Sequence, residues 1–293
     1  MIDGEMHGQA IKGDLAECAA VLGSARRLLV FTGAGISAES GMPTYRGPTG
    51  EYRGSPGLPD IMSVAAFGKD LERVWRHVDG LRMLAGSCIP NSAHRILAKW
   101  EHENRFGDFL IATQNIDGLH QKAGSKRVSG IHGSLWQMAQ PRCVDYTDDG
   151  QFSDDVRFMG NPEMRDEILQ RWSEENHQVI WEDREVPFRR IPPYDEEGVR
   201  PNITLYDESY GSRLVWVEDF IRGEVDVVVV IGCSGGVTVL DLLLRSCHGS
   251  NPKCKFININ PHDDCLKLPH RHLPMTATAA LEALDIMLVE TCR

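Results

Sequence analysis

The chain has 293 residues, 42% of them hydrophobic and 25% charged, which is enough for a sizeable buried core and excludes wholesale disorder. Its 31 Lys and Arg against 42 Asp and Glu leave a net charge of −11, which argues against a protein held on nucleic acid or on an anionic membrane by bulk electrostatics. No apolar run approaches the ~20 residues of a membrane span, and the opening MIDGEMHGQAIKGD resembles neither a secretory signal nor a transit peptide, so a cytoplasmic or nuclear setting is expected.

In chain order, Leu15, Cys18, Ala19 and Leu22 recur at helical spacing behind Asp14, an N-cap candidate, and predict a helix over 14–27. Leu28-Leu29-Val30-Phe31 is a fully apolar run ending at Thr32-Gly33-Ala34-Gly35, the pattern of a strand buried on both faces and followed by a tight turn. Residues 43–67 are rich in Gly and Pro, lack a clear period and read as a long functional loop. A helix over 92–103 leads to the strand Phe109–Ala112, which ends at Thr113-Gln114-Asn115. Further on, a helix over 213–222 precedes the strand Val227–Ile231 with its turn Gly232-Cys233-Ser234. A helix over 237–247 precedes the strand Phe256–Ile259, and a last helix covers 277–289. This alternation predicts an α/β fold with a doubly wound parallel sheet, Rossmann-like, with ligands beyond the carboxyl ends of its strands.

Residues 137–199 break the alternation and read as a small module inserted between the two parts of the main domain, 1–136 and 200–293. One helix is predicted there over 162–176. Ile168, Leu169, Trp172, Val179, Ile180, Trp181 and Phe188 supply a small apolar cluster that must lean on the main domain. The eight cysteines contain no C-x-x-C pair, which rules out a paired-cysteine zinc ribbon and favours reduced thiols over a disulfide scaffold.

Gly33-Ala34-Gly35 after a buried strand suits a pyrophosphate, because Gly lets the backbone approach and the next helix offers its N–H groups. Alone that pair is weak. The longer string Gly33-Ala34-Gly35-Ile36-Ser37-Ala38-Glu39-Ser40-Gly41-Met42-Pro43-Thr44-Tyr45-Arg46-Gly47 closely resembles the signature of the sirtuins, the NAD-dependent protein deacylases. Three further stretches match in order. They are Thr113 to His120 with Lys122-Ala123-Gly124, then Ile131-His132-Gly133-Ser134-Leu135, then Arg200 to Glu208 followed by Gly232-Cys233-Ser234 and Ile257-Asn258. Ala38-Glu39-Ser40, Thr44 and Pro90-Asn91-Ser92-Ala93-His94-Arg95 are most similar to the class III-like branch, which removes acidic acyl groups such as succinyl and malonyl.

The resemblance implies NAD as cofactor, an acyl-lysine protein or peptide as substrate, and no direct nucleic-acid or membrane partner. It implies that the acyl oxygen attacks C1′ of the nicotinamide ribose, and that His132 then acts as general base on a ribose hydroxyl. Asn115 would hold the ribose or a water, Asp117 the nicotinamide amide with Ile116 packed nearby, and Gln114 the ribose hydroxyls. Thr44, Tyr45 and Arg46 would lie on the covering loop. Gly33, Ala34, Gly35, Ser37, Gly232, Cys233 and Ser234 would line the phosphate side, and Asn258 with Ile259 the adenosine side. Each has a plainer reading. An isolated His is most often a structural hydrogen-bonder, Asn115-Ile116-Asp117 suits a turn, and Ser234 and Asn258 suit strand-end caps.

The sequence departs from the family in three places. Cys143 stands where a first zinc pair begins, but Tyr146 takes its partner's place, and Pro192 to Glu197 replace the second pair, so no structural zinc is expected. The acidic-acyl branch reads its substrate with a Tyr-x-x-Arg pair, whose places fall on Val78 and Leu81, while Arg82 lies about 100° further around the helix. An apolar pocket there favours acetyl or longer acyl chains. Tyr206-Asp207-Glu208 replaces Phe-Gly-Glu in the substrate groove, and Cys233 replaces Thr. ADP-ribosyl transfer, NAD glycohydrolysis and a non-catalytic NAD or ADP-ribose sensor therefore stand as alternatives to deacylation. His262, Cys265, His270 and His272 read as a solvated loop rather than a metal site.

Overall fold

A computed structural model of the chain describes residues 15–44, 61–63, 70–139, 200–206, 210–234, 238–262 and 266–290. The inserted module from 140 onwards with its predicted helix, most of the 43–67 loop, and Tyr45, Arg46, Cys143, Asp207, Glu208 and Cys265 lie outside the described residues.

The strands form an all-parallel six-stranded sheet. In chain order they are β1 (Arg27–Thr32), β2 (Asp108–Thr113), β3 (Val128–Gly130), then β6 (Val227–Ile231), β7 (Lys255–Ile259) and β8 (Arg271–Leu273), arranged β3-β2-β1-β6-β7-β8. Between them β4 (Gly133–Ala139) and β5 (Arg200–Ile203) pair antiparallel as a separate ribbon. The chain reverses its direction of travel across the sheet between β3 and β6, so β1 and β6 lie side by side at the switch point where such sheets bind ligands.

Helices cover both faces, which is why the central strands are apolar without alternation. Helix α1 (15–23), α4 (Ser92–His102) and α8 (Ala277–Glu290) pack with Leu28, Val30, Ile111, Val229 and Ile257 on one face. On the other face α6 (Val215–Arg222) and α7 (Thr238–Ser250) pack with Leu29, Phe31, Leu110, Val228 and Phe256. The short α2 (Ala34–Ala38) follows β1, and α5 (Leu119–Lys122) follows the β2 turn. A third cluster joins α3 (Leu71–Ser87) to the ribbon through Val74, Trp75, Val78, Leu81, Leu135, Trp136 and Ile203.

Three boundaries move. The first helix stops at 23 and Arg27 already belongs to β1, where Asp226 accepts from its backbone N–H. The predicted helix over 213–222 opens as a 3-10 turn, Gly211–Leu214, and becomes α-helical only at Val215. The helix expected to end at 247 continues to Ser250. Strands β3 and β8 were too short to register as apolar runs.

Candidate active site

The turns after β1 and β6 are pressed together. A side chain at Gly33 would meet the Gly232 carbonyl oxygen at 2.7 Å, and one at Gly35 would meet the Gly232 Cα at 2.6 Å. The Gly33 and Gly35 N–H groups donate to the Ile231 and Gly232 carbonyls at 3.0 and 2.9 Å. These glycines are needed first for contact between the two turns. The sequence reading gave them only to phosphate. Cys233 is buried, its thiol 3.7 Å from the Ile231 carbonyl, and Ser234 follows it at the edge of the turn.

Beside this contact lies an open cleft lined by Ala34, Ser37, Met42, Pro43, Leu81, Asn115, Ile116 and Asp117. Its polar floor is a connected network. Ser37 donates to Asp117 Oδ2 at 2.7 Å, and the Asn115 amide donates to Ser37 at 3.1 Å and to the Gly33 carbonyl at 3.0 Å. Asp117 Oδ1 accepts from the Leu119 N–H at 2.9 Å, which starts α5. Burial pushes the Asp117 carboxyl up; those two hydrogen bonds act against it.

Under the floor, His94 Nε2 lies 3.4 Å from Ser37 Oγ, and its Nδ1 meets Asn91 Oδ1 at 3.0 Å. His120 Nε2 meets Thr32 Oγ1 at 2.9 Å, and Thr32 donates to Thr113 at 2.8 Å. The two imidazoles meet edge to face, centroids 4.9 Å apart. Burial pushes both down, His94 to about 3. The sequence reading assigned neither histidine to the site. His94 shares a helix face with the buried Ala93, Leu97 and Ala98, and that phase was the available signal.

The segments 113–117 and 131–136 are laced together. Ile131 N–H donates to the Thr113 carbonyl and Leu135 N–H to the Ile116 carbonyl, both at 2.9 Å, and the Trp136 indole donates to the Asp117 carbonyl at 2.7 Å. Asn115, Asp117 and His132 are thereby gathered at one corner of the sheet. The His132 ring faces Tyr210, with Nε2 3.3 Å from its hydroxyl. Burial pushes His132 down to about 4; the Arg213 cation acts the same way and the Gln114 carbonyl against it.

Gly133 follows His132 with φ of +84°, and a side chain there would collide with the Asn202 carbonyl of β5. Asn202 in turn accepts from Arg213 at 2.7 Å.

The remaining expected residues are placed as follows. Thr44 is half-buried beside Pro43. Leu81 reaches the cleft, whereas Val78 is wholly buried in the α3 cluster. Arg82 turns inward, 5.8 Å over the Trp136 ring and 4.0 Å from Asp79. Tyr206 is half exposed and its N–H donates to the Met62 carbonyl. Asn258 is fully buried within β7 and accepts from the Asn260 amide, and Ile259 ends that strand. Asn260, just past the strand, is buried beside it. His270 meets the Leu268 carbonyl at 2.7 Å and His272 the Asn260 carbonyl at 2.8 Å. Among the described residues no three metal-ligating side chains are grouped.

The described residues fit a dinucleotide. The cleft lies at the switch point, and Gln114 Nε2 is buried there without a hydrogen-bond partner among the described residues.

The chain is similar to proteins named NAD-dependent protein deacylases. An NAD-dependent protein deacylase of Aquifex aeolicus is 43% identical over 214 residues, 72% of this chain and 74% of the relative. One of Pyrobaculum aerophilum is 40% identical over 82% of this chain and 83% of the relative. The mitochondrial NAD-dependent protein deacylase sirtuin-5 of Xenopus tropicalis is 30% identical over 76% and 70%. A solved Sir2 homologue in complex with NAD superposes with a TM-score of 0.69 at 22% identity, covering 94% of each chain. Residues 33–239 match the Sir2 family, and the chain belongs to that family.

Proposed function

We propose that this chain is an NAD-dependent protein-lysine deacylase acting on neutral acyl groups, acetyl first among them. The observation that carries the reading is the convergence of Asn115, Asp117 and His132 on the switch-point corner, with the unpartnered Gln114 amide beside them. NAD, when bound, supplies a nicotinamide leaving group and a ribose that receives the acyl group.

In this reading the chain's own groups bind, orient and move protons. Asp117, held by Ser37 and the Leu119 N–H, keeps lone pairs for an amide donor. Asn115 has both amide hydrogens engaged and leaves its carbonyl oxygen for a hydroxyl or a water. His132, neutral at physiological pH, takes a proton from a ribose hydroxyl at Nε2. Gly232, Cys233, Ser234 and Asn258 line the phosphate and adenosine side. Thr44, Tyr45 and Arg46 are assigned to cofactor binding, where excluding water would prevent hydrolysis.

The neutral-acyl preference rests on the α3 wall. Leu81 lines the cleft, Val78 is apolar, and Arg82 faces Asp79 and Trp136. The lone Cys143 and its absent partners support the reading that the inserted segment 137–199 holds no structural zinc. Among the described residues no helix is long and apolar enough to cross a membrane, and no disulfide joins Cys18, Cys88, Cys233, Cys247 or Cys254. Reduced cysteines suit a cytoplasmic or nuclear setting.

The test is a product profile with NAD and acetyl-, succinyl- and long-acyl-lysine peptides. Acyl-ADP-ribose from acetyl peptide, with little from succinyl peptide, is expected. Free ADP-ribose made without regard to peptide would instead establish NAD cleavage. A metal assay on the same preparation should find no stoichiometric zinc; one zinc per chain overturns the module reading.

A further inference from the structure

The base corner holds a side chain that none of the family motifs explains. Tyr210 stands just before the 3-10 turn Gly211–Leu214. Its ring lies against the His132 imidazole, with centroids 5.6 Å apart and planes inclined by 29°, and its hydroxyl is 3.3 Å from Nε2. With the ring proton on Nδ1, Nε2 carries the lone pair and the phenol is the donor to it, the assignment that a backbone carbonyl acting on the ring at Gln114 favours.

Tyr210 is itself held. Its ring packs on the cluster beneath α6 and α7, and its carbonyl accepts from the Arg213 N–H at 3.2 Å. The Arg213 guanidinium is tied to Asn202 of β5, so Tyr210 and Arg213 are the titratable and charged groups shown to act on His132.

A histidine ring turned by 180° about its second torsion puts Cδ2 in the place of Nδ1 and Cε1 in the place of Nε2 at little steric cost, and so loses both ring hydrogen bonds. Partners of opposite kind at the two nitrogens, an acceptor at one and a donor at the other, select a single orientation and a single tautomer.

We propose that Tyr210 is a positioning residue for His132, holding the imidazole in one orientation and one tautomer until a substrate hydroxyl replaces the phenol at Nε2. The inference rests on the reading of His132 as the base. It concerns a residue that touches His132 and acts through it.

Tyr210→Phe keeps the ring stack and removes only the donor, while Tyr210→Leu removes both. In the ligand-free full chain, imidazole 1H–15N spectra, with His132 assigned by its loss in His132→Gln, should show one Nδ1–H tautomer in the wild type and a mixture in Tyr210→Phe. With NAD and acetyl peptide, kcat should fall about tenfold in Tyr210→Phe while KM for NAD holds, the loss of one positioning hydrogen bond. A wild-type tautomer ratio or a wild-type kcat in Tyr210→Phe overturns the proposal, whether or not Tyr210→Leu folds. If the wild type lacks deacylase turnover, the deacylase reading fails by itself, and the spectra still decide whether Tyr210 orients His132.

Discussion

The two ends of the parallel sheet handle polar groups in opposite ways. At the amino end, charge meets opposite charge near solvent. Asp108 is paired with both Arg27 and Arg127 at 2.5 Å, Asp226 accepts from the Arg26 and Arg27 N–H groups at 3.0 and 2.9 Å, and the Arg27 guanidinium lies 4.1 Å over the Phe220 ring. At the carboxyl end, Asp117 is buried and no ion pair is seen for it among the described residues. Two histidines sit neutral beneath it, and the Gln114 amide lacks a partner among the described residues. The first arrangement strengthens the fold. The second carries polar groups whose burial is only partly compensated, a stability cost tolerated where a ligand will bind. Substitutions at the two ends should therefore separate activity from stability.

The largest effect is expected at His132. Replacing it by Ala removes the base, and turnover with NAD and acetyl peptide should drop by about 10²–10⁴-fold, the usual contribution of a positioned general base. Affinity for NAD should stay near the wild-type value by calorimetry, because the cofactor's recognition is assigned to other groups. Unchanged turnover removes His132 from the mechanism.

The amino end should behave in the converse way. Asp226→Ala leaves two backbone N–H groups without their acceptor and should cost about 1–3 kcal/mol in denaturant unfolding, with turnover per folded molecule unaltered. A loss of turnover larger than the loss of folded protein would show that the two ends are coupled.

The contrast between the ends was only half legible in the sequence. The strands declared themselves because both faces are covered: Val227–Ile231 is apolar at every position, short, β-branched throughout and followed by Gly232, which together favour a buried strand over a buried helix. The site's chain-local parts were legible too, since Asn115, Ile116 and Asp117 come on one turn and His132 is marked by its neighbours. What stayed hidden depends on distant segments meeting. Tyr210 faces His132 across 78 residues of sequence, and His120 meets Thr32 across 88. The glycines of the first turn look like a phosphate cradle until Gly232 is seen pressed against them. Arg82 could be placed off the acyl position by helical phase, but only the contact with Trp136 shows where it goes.

The smallest effect per step is in the pH dependence of stability, and it tests whether the carboxyl end is as dry as its burial indicates. An imidazole titrates near 6.5 in the unfolded chain, while burial, with the Arg95 cation nearby, holds His94 down to about 3 in the fold. Above 6.5 neither state is protonated and the group is neutral to stability. As pH falls below 6.5 the unfolded chain binds a proton that the folded one refuses, so stability is lost progressively toward pH 3, at up to about 1.4 kcal/mol per pH unit. His132, held down to about 4, adds a loss of the same sign over a shorter window. Asp117 opposes both, because its raised carboxyl lets the folded state take up a proton sooner. Comparing the wild type with His94→Gln isolates one contribution: the variant starts lower at neutral pH but should lose stability more slowly on acidification. Parallel unfolding curves for the two proteins between pH 6 and pH 4, by the linkage relation, would mean that water reaches His94 and that the floor of the cleft is no drier than the opposite edge of the sheet.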